Sequence, residues 1–456
     1  MPVSIPQQFG ASDAKWPLLG IADPERTLAW RDGRAVSASR FLAHVHSVAR
    51  ALPQASHVVN LCEDRYAFLV GFCAALVNGQ TNLLPPSRAP QAVADIMAAH
   101  PGSYALGDQE SPASALPHVR FPDLSDSTAD DVAMPHIAAD HVAAIGYTSG
   151  STGRPHANAK TWGSFVASTD GNLAMLRRHL REPFHVLATV PPQHMYGLEM
   201  SILLPLRGHV GVHAGHPLLP ADVAAALDGL PTPRVLVTTP VHLRALIRSG
   251  QPMPPLDAML SATAPLPEAL AREAEATFGA PLLEVFGSTE TCVFATRRSA
   301  RETAWTTYPG VRVHPQPDGT RIEAPQLAEP VVLADLVEAT ETGFRLCGRG
   351  TDLLDMAGKR ASLADLNQRL LAVDGVDDGV IFQLDDGDGL AVKRLAALVV
   401  APSVSEADIR AALARDVDAV FLPRPLRKVA GLPRNATGKL PRAALLQMLA
   451  QATTGE

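Results

Sequence analysis

Residues 145–155 read Ile-Gly-Tyr-Thr-Ser-Gly-Ser-Thr-Gly-Arg-Pro, a short apolar run followed by a loop of glycines and hydroxyl side chains. Gly150 and Gly153 can take backbone angles closed to other residues. Such a loop can turn successive N–H groups toward one point and form an anion-binding nest. Thr148, Ser149, Ser151 and Thr152 add hydroxyl donors. The chemistry this suits is holding a polyphosphate. It is not a Walker A loop, because no Gly-Lys-Ser/Thr closes it at the required spacing. Alone, a Ser/Gly-rich turn is more often only a turn.

The surrounding elements give the loop its context. Apolar runs at 186–190, 235–239, 257–261 and 282–286 each lead into a polar or small-residue turn. These turns are Pro191-Pro-Gln-His-Met-Tyr-Gly, the segment 239–243, Ser261-Ala-Thr-Ala-Pro-Leu266 and Phe286-Gly-Ser-Thr-Glu290. In open α/β sheets ligands sit at the C-terminal ends of strands, so four such junctions point at one cleft. Upstream, 28–37 reads as strand, Asp32-Gly33 turn and strand. Residues 37–52 carry helical periodicity behind Ser37 or Ser39 as N-cap. Short strands near 58–62 and 81–85 alternate with helices at 66–78 and 89–99. That alternation predicts a doubly wound parallel sheet. Residues 101–140 are rich in Pro, Ser and Asp and read as a surface connection. From about 311, short strands with Pro/Gly turns predict a small β-rich subdomain. The last hundred residues read as a separate small, mobile α+β unit. The expected division is 1–350 and 351–456.

A chain of 456 residues with 46% hydrophobic content can bury a large core over two or three domains. A net charge of −7 argues against a general nucleic-acid role. The four cysteines, Cys62, Cys73, Cys292 and Cys347, form no CxxC pair, which fits a reducing cytoplasm. No signal peptide is read at the N-terminus. The longest apolar stretch, 66–77, is too short to span a bilayer and predicts a buried helix.

The loop 147–155 resembles the phosphate loop of adenylate-forming enzymes, which include acyl-CoA synthetases, aryl acid ligases, peptide-synthetase adenylation domains and luciferase. Four further segments match in the family's order: 261–266; 286–290; Asp335 with Gly348-Arg349 and Gly358-Lys-Arg360; and Asn435-Ala-Thr-Gly-Lys439. The likeness covers roughly 20–445. Within the family, the short N-terminal part and Asn60-Leu-Cys-Glu-Asp-Arg-Tyr66 look most like ligases of bacterial aryl polyene and xanthomonadin pigment pathways.

The resemblance implies ATP and Mg2+ as cofactors and a two-step reaction. A carboxylate attacks the α-phosphate of ATP, releasing pyrophosphate, and a thiol then displaces AMP to give a thioester. It assigns Lys439 to the α-phosphate and carboxylate in the first step, and Glu290 to magnesium. Asp335 would accept the ribose hydroxyls, with Arg349 beside it. His194 would stand next to the substrate carboxylate. Ala262, Thr263, Ala264, Pro265, Phe286, Gly287, Ser288 and Thr289 would line the nucleotide slot. The plainer reading makes Lys439 an exposed loop lysine, Glu290 a helix-start acid and His194 a structural histidine.

Departures from the family pattern carry consequences. His156 stands where lysine is common, with Lys160 a candidate to compensate. Thr351, Asp352 and Asp355 leave the hinge position open. Residues 419–455 contain no Asp or Glu but hold Arg424, Arg427, Lys428, Arg434, Lys439 and Arg442. Such a basic end could dock an acidic partner. The expected acceptor is therefore an acyl carrier protein, with CoA second, and the pigment-ligase likeness favours a hydroxybenzoate over a fatty acid. No carrier domain is read after 445, which argues against a peptide-synthetase module. A degenerate adenylate-binding protein without catalysis is the alternative of another class.

Overall fold

The computed structural model describes residues 14–109, 116–124, 132–149, 155–349, 353–356, 359–384, 394–434, 438 and 440–454. Two sheets carry the architecture. The first has six strands, in spatial order Pro155–Thr161, Val142–Ser149, Thr81–Leu84, His57–Asn60, Tyr104–Gly107 and His118–Arg120. Only the Pro155–Thr161 strand runs antiparallel to its neighbour. The second sheet has eleven strands. Its middle is parallel, running from Thr27–Arg31 through Val210–His213, Phe184–Ala188, Arg234–Thr238 and Ala258–Ser261 to Leu282–Ser288.

Strands covered on both faces read as unbroken apolar runs. Phe184–Ala188 and Ala258–Ser261 are buried along their whole length. The apolar stretch 66–77 is the enclosed helix Arg65–Val77, capped by Asp64, whose carboxylate accepts the Ala67 N–H at 2.8 Å. Ser37 caps the preceding helix Ala38–Ala51 by accepting from the Arg40 N–H. The doubly wound α/β expectation therefore holds.

Two expectations are corrected. Residues 101–140 are not only a surface connection. They supply Tyr104–Gly107, a fully buried strand, and His118–Arg120 beside it. The Pro, Ser and Asp around that short apolar run disguise it. The β-rich subdomain is also smaller than expected. Arg312–Gln316, Gly319–Glu323 and Val331–Leu333 form a three-stranded sheet, but Asp335–Ala339 and Gly343–Arg349 join the eleven-stranded sheet through Trp305–Thr307.

The C-terminal part builds cores of its own. Asp378–Leu384, Arg394–Val400 and Leu426–Lys428 form a three-stranded sheet. Helices Leu363–Leu371 and Glu406–Asp416 cover one face through Leu366, Leu370 and Ile409. Helix Arg442–Thr454 covers the other, with Leu445 and Leu449 against Phe382 and Leu398. Among the described residues no helix is long and apolar enough to cross a membrane.

Candidate active site

The strands Val142–Ser149 and Pro155–Thr161, which flank the phosphate-type loop in sequence, pair at the edge of the first sheet, with Ser149 opposite Pro155 and Thr148 opposite His156. Gly150, Ser151, Thr152 and Gly153 lie outside the described residues, as do Lys439 and the hinge candidates Thr351 and Asp352. Thr148 is half-buried and His156 exposed.

Gly146, on the same hairpin, marks where the sheets meet. A Cβ built there would stand 2.7 Å from Thr289 Cγ2 and 3.4 Å from Met195 Cε. Three segments singled out from sequence thus converge: the hairpin, the His194 segment and the 286–290 segment. His194 sits at the N-cap of a short helix, Met195–Leu198, which continues into a buried π-helical turn, Glu199–Leu203.

The strand Leu282–Ser288 ends in a tight turn that presents Glu290, half-buried. Ser288 and Thr291 close it: the Ser288 N–H donates to Thr291 Oγ1 at 3.1 Å, and the Thr291 N–H to Ser288 Oγ at 3.3 Å. Cys292 then takes a left-handed φ of 58°. Phe286 packs into an aromatic cluster, 5.4 Å from Phe294, 5.1 Å from Trp305 and 5.4 Å from Phe344 between ring centroids. Its ring anchors the strand from within that cluster.

After Ala258–Ser261 the chain turns through Ala262–Pro265, and Thr263 adopts φ 80°, a costly conformation for a β-branched residue. Thr263 Oγ1 and Ser261 Oγ are buried without a hydrogen-bond partner among the described residues. Asp335 and Arg349 face one another in the strand register, and the Asp335 main-chain oxygen accepts Thr320 Oγ1 at 2.5 Å.

The C-terminal unit reaches this cleft. A Cβ on Gly438 would lie 3.7 Å from Val241 Cγ2 and 3.9 Å from Thr263 Oγ1. Arg248 pairs with Asp377 at 2.5 Å, and Arg244 with Asp378 at 3.9 Å, across the same boundary.

Two features go beyond the sequence reading, which offered Lys160 only as compensation for His156 in the phosphate loop. Lys160 is buried and donates to the Glu290 carbonyl, so its ammonium supports the turn. A polar cluster also lines the ends of three parallel strands. Thr189 Oγ1 bonds Thr238 Oγ1 at 2.9 Å and His242 Nδ1 at 2.8 Å, and His216 Nε2 donates to the Thr189 carbonyl at 2.9 Å. Burial, then the nearby Arg65, pushes His216 down to about 4, and burial lowers His242. Both rings are neutral near pH 7. The basic C-terminal stretch is partly neutralised: Arg434 pairs with Asp378, and Arg427 with Glu406. Arg424, Lys428 and Arg442 remain exposed.

The donor set fits ATP with magnesium. The orphaned hydroxyls of Ser261 and Thr263 have hydrogen bonds to give. Among the described residues no group of three or more His, Cys, Asp or Glu could cage a metal. A magnesium ion held by one carboxylate and by phosphate oxygens needs no such cage.

Residues 22–322 match the profile of the family described as AMP-binding enzyme. The chain belongs to the AMP-binding enzyme family. Relatives of this chain are named acid–CoA ligases, consistent with an acid–thiol ligase, and a solved neighbour of the same fold holds ATP and magnesium. The 3-hydroxybenzoate–CoA/4-hydroxybenzoate–CoA ligase of Thauera aromatica is 27% identical over 405 residues, 77% of this chain and 74% of that protein. A probable 2-succinylbenzoate–CoA ligase of Mycobacterium tuberculosis is 28% identical over 356 residues, 68% of this chain and 85% of that protein. Among solved structures, the o-succinylbenzoate CoA synthetase of Bacillus subtilis with its acyl-adenylate superposes with a TM-score of 0.80 at 18% identity, covering 95% of this AMP-binding enzyme and 98% of that chain. The same synthetase with ATP and magnesium gives 0.79.

Proposed function

We propose that this AMP-binding enzyme activates an aryl carboxylic acid of the hydroxybenzoate class and passes the acyl group to a pantetheine thiol. The convergence of the phosphate hairpin, the His194 segment and the Glu290 turn on Gly146 carries this reading. The hydroxybenzoate and succinylbenzoate ligases among its relatives support the aryl class. So does the His242–Thr189–His216 cluster, whose neutral rings suit an aryl hydroxyl and leave an alkyl chain with polar neighbours.

In the first step a carboxylate oxygen of the acid attacks the α-phosphorus and pyrophosphate leaves. The 148–153 loop cradles the phosphates, Asp335 and Arg349 take the ribose, and 262–265 with 286–289 flank the base. His194 orients the carboxylate, and Lys439 stabilises charge on the α-phosphate as a mobile point charge. Magnesium, when bound, offsets the repulsion between the two anions. Glu290 would hold it. In the second step the thiol sulfur attacks the acyl carbon, AMP leaves, and the thiol proton passes to solvent. The unit 351–456 serves as a lid that swings about residues near 350 between the steps and keeps water from the adenylate.

CoA is the acceptor its relatives use by name. A second reading, a carrier protein, is favoured by the exposed Arg424, Lys428 and Arg442 and by the likeness of 60–66 to pigment-pathway ligases. Mass analysis of thioesters formed from hydroxybenzoates and C8–C16 fatty acids, with CoA and carrier protein offered in turn, tests both points. Hydroxybenzoyl thioesters are expected; a preference for alkyl acids overturns the substrate class.

A further inference from the structure

We propose that the buried side chains of Lys160 and Glu199 grip the Glu290 turn from its two ends and position it for the metal–nucleotide complex. The proposal rests on the reading of Glu290 given above, and both residues act through the turn.

Lys160 is 6% exposed and Glu199 is fully buried. The Lys160 ammonium donates to the main-chain carbonyl of Glu290. The Glu199 carboxylate accepts the Val293 N–H at 3.1 and 3.2 Å, at the far side of the same turn. Ser168 Oγ at 2.5 Å and Asn172 Nδ2 at 3.2 Å, both on helix Trp162–Leu176, complete its shell. Gln326 Nε2 donates to the Thr291 carbonyl at 3.2 Å, between the two grips. Burial pushes the Glu199 carboxyl up, and Ser168, Val293, Asn172 and the charge on Lys160 oppose that push.

Burying ionisable side chains is costly, and well-packed apolar ones are often as stable or more so. Stability alone therefore does not account for these two residues. Their connections do. Lys160 lies on the strand that closes the phosphate hairpin, so it ties that hairpin to the metal-side turn. Glu199 opens the π-helical turn that follows the His194 helix, so it ties the acid-side segment to the same turn. The phosphate hairpin, the Glu290 turn and the His194 segment are tied together through these two side chains.

The test is calorimetric titration of a non-hydrolysable ATP analogue, with Mg2+ and with EDTA, into wild type, Lys160→Met, Lys160→Gln and Lys160→Met/Glu199→Gln, with thermal melts alongside. Lys160→Met removes the donor to the Glu290 carbonyl and the positive charge that opposes the burial of Glu199, and should melt earlier; the double variant, with Glu199 neutralised, should recover in part. In all three variants, Mg2+-dependent affinity should fall by about tenfold, the lower end for loss of an orienting partner around a metal, while affinity in EDTA stays the same. Wild-type metal-dependent affinity in any folded variant overturns the proposal, whatever its melting temperature. If the wild type binds no nucleotide, the site reading falls and the proposal with it; that failure shows before any variant is made.

Discussion

Arg434 grips Asp378 with two parallel bonds, Nε to Oδ2 at 2.9 Å and Nη2 to Oδ1 at 2.7 Å. Its remaining nitrogen, Nη1, holds the Gly438 carbonyl at 2.7 Å. The backbone immediately before Lys439 is thereby fixed to the sheet of the C-terminal unit. Asp378 also faces Arg244 of the N-terminal part. A bidentate pair of this kind is geometrically selective. Arg434→Ala should lower adenylation by up to about 10²-fold, the cost of a misplacement near 1 Å. Thioester formation from supplied acyl-adenylate should be nearly unchanged. Rapid-quench assays of the two half-reactions separate these effects, and equal loss in both would refute the positioning role.

Gly146 leaves no room for a side chain. Gly146→Ala would push a methyl against Thr289 Cγ2 at 2.7 Å, and overpacking of this kind costs about 1–3 kcal/mol. Activity should fall further than stability, because Thr289 precedes Glu290. Thr289→Ser removes the clashing methyl and keeps the hydroxyl, so the double variant should recover both. Melting curves and kcat/KM for ATP check this, and no recovery in the double variant would mean that the contact is not the cause.

Thr263 is held at φ 80°, and its hydroxyl has no hydrogen-bond partner among the described residues. Strain of this kind costs on the order of 1–3 kcal/mol. Thr263→Gly should raise the melting temperature and weaken ATP binding together. Greater stability with unaltered ATP affinity would remove Thr263 from the nucleotide slot.

These contacts show what was legible in the sequence. Strand ends and glycine turns were, because apolar runs and the residues that break them are local signals. The partners of Lys160 were not. It alternates with His156 and Asn158 on the polar face of its strand, which reads as a solvent face, and the residue it supports lies 130 positions away. Glu199, an acid inside the apolar run 195–206, was the available clue to a buried charge. The basic C-terminal stretch looked free because Asp378 and Glu406 lie outside it in sequence and beside it in space. Tyr104–Gly107 was hidden by polar neighbours, although four apolar or small residues suffice for a buried strand.

Stability should fall with acid. Burial, then Arg40 and Arg31, pushes His44 down to about 4, and its Nδ1 stands 2.7 Å from the Tyr66 hydroxyl. His216 is pushed down equally far, by burial first. The unfolded chain protonates these rings near pH 6.5, whereas the fold resists until about 4. Their contribution is complete above pH 6.5 and is lost as pH falls toward 4. Melting temperature should drop by several degrees between pH 7 and pH 5, and His44→Gln should flatten that slope. An unchanged slope would assign the acid sensitivity to other groups.

The most direct measurement is pyrophosphate release without any thiol, across hydroxybenzoates and alkyl acids, in wild type and Lys439→Ala. Hydroxybenzoate-dependent release is expected in the wild type, reduced on the order of 10²–10³-fold in the variant, as when one transition-state donor is lost. No release with any acid, or release that Lys439→Ala leaves untouched, would contradict aryl adenylation at this cleft.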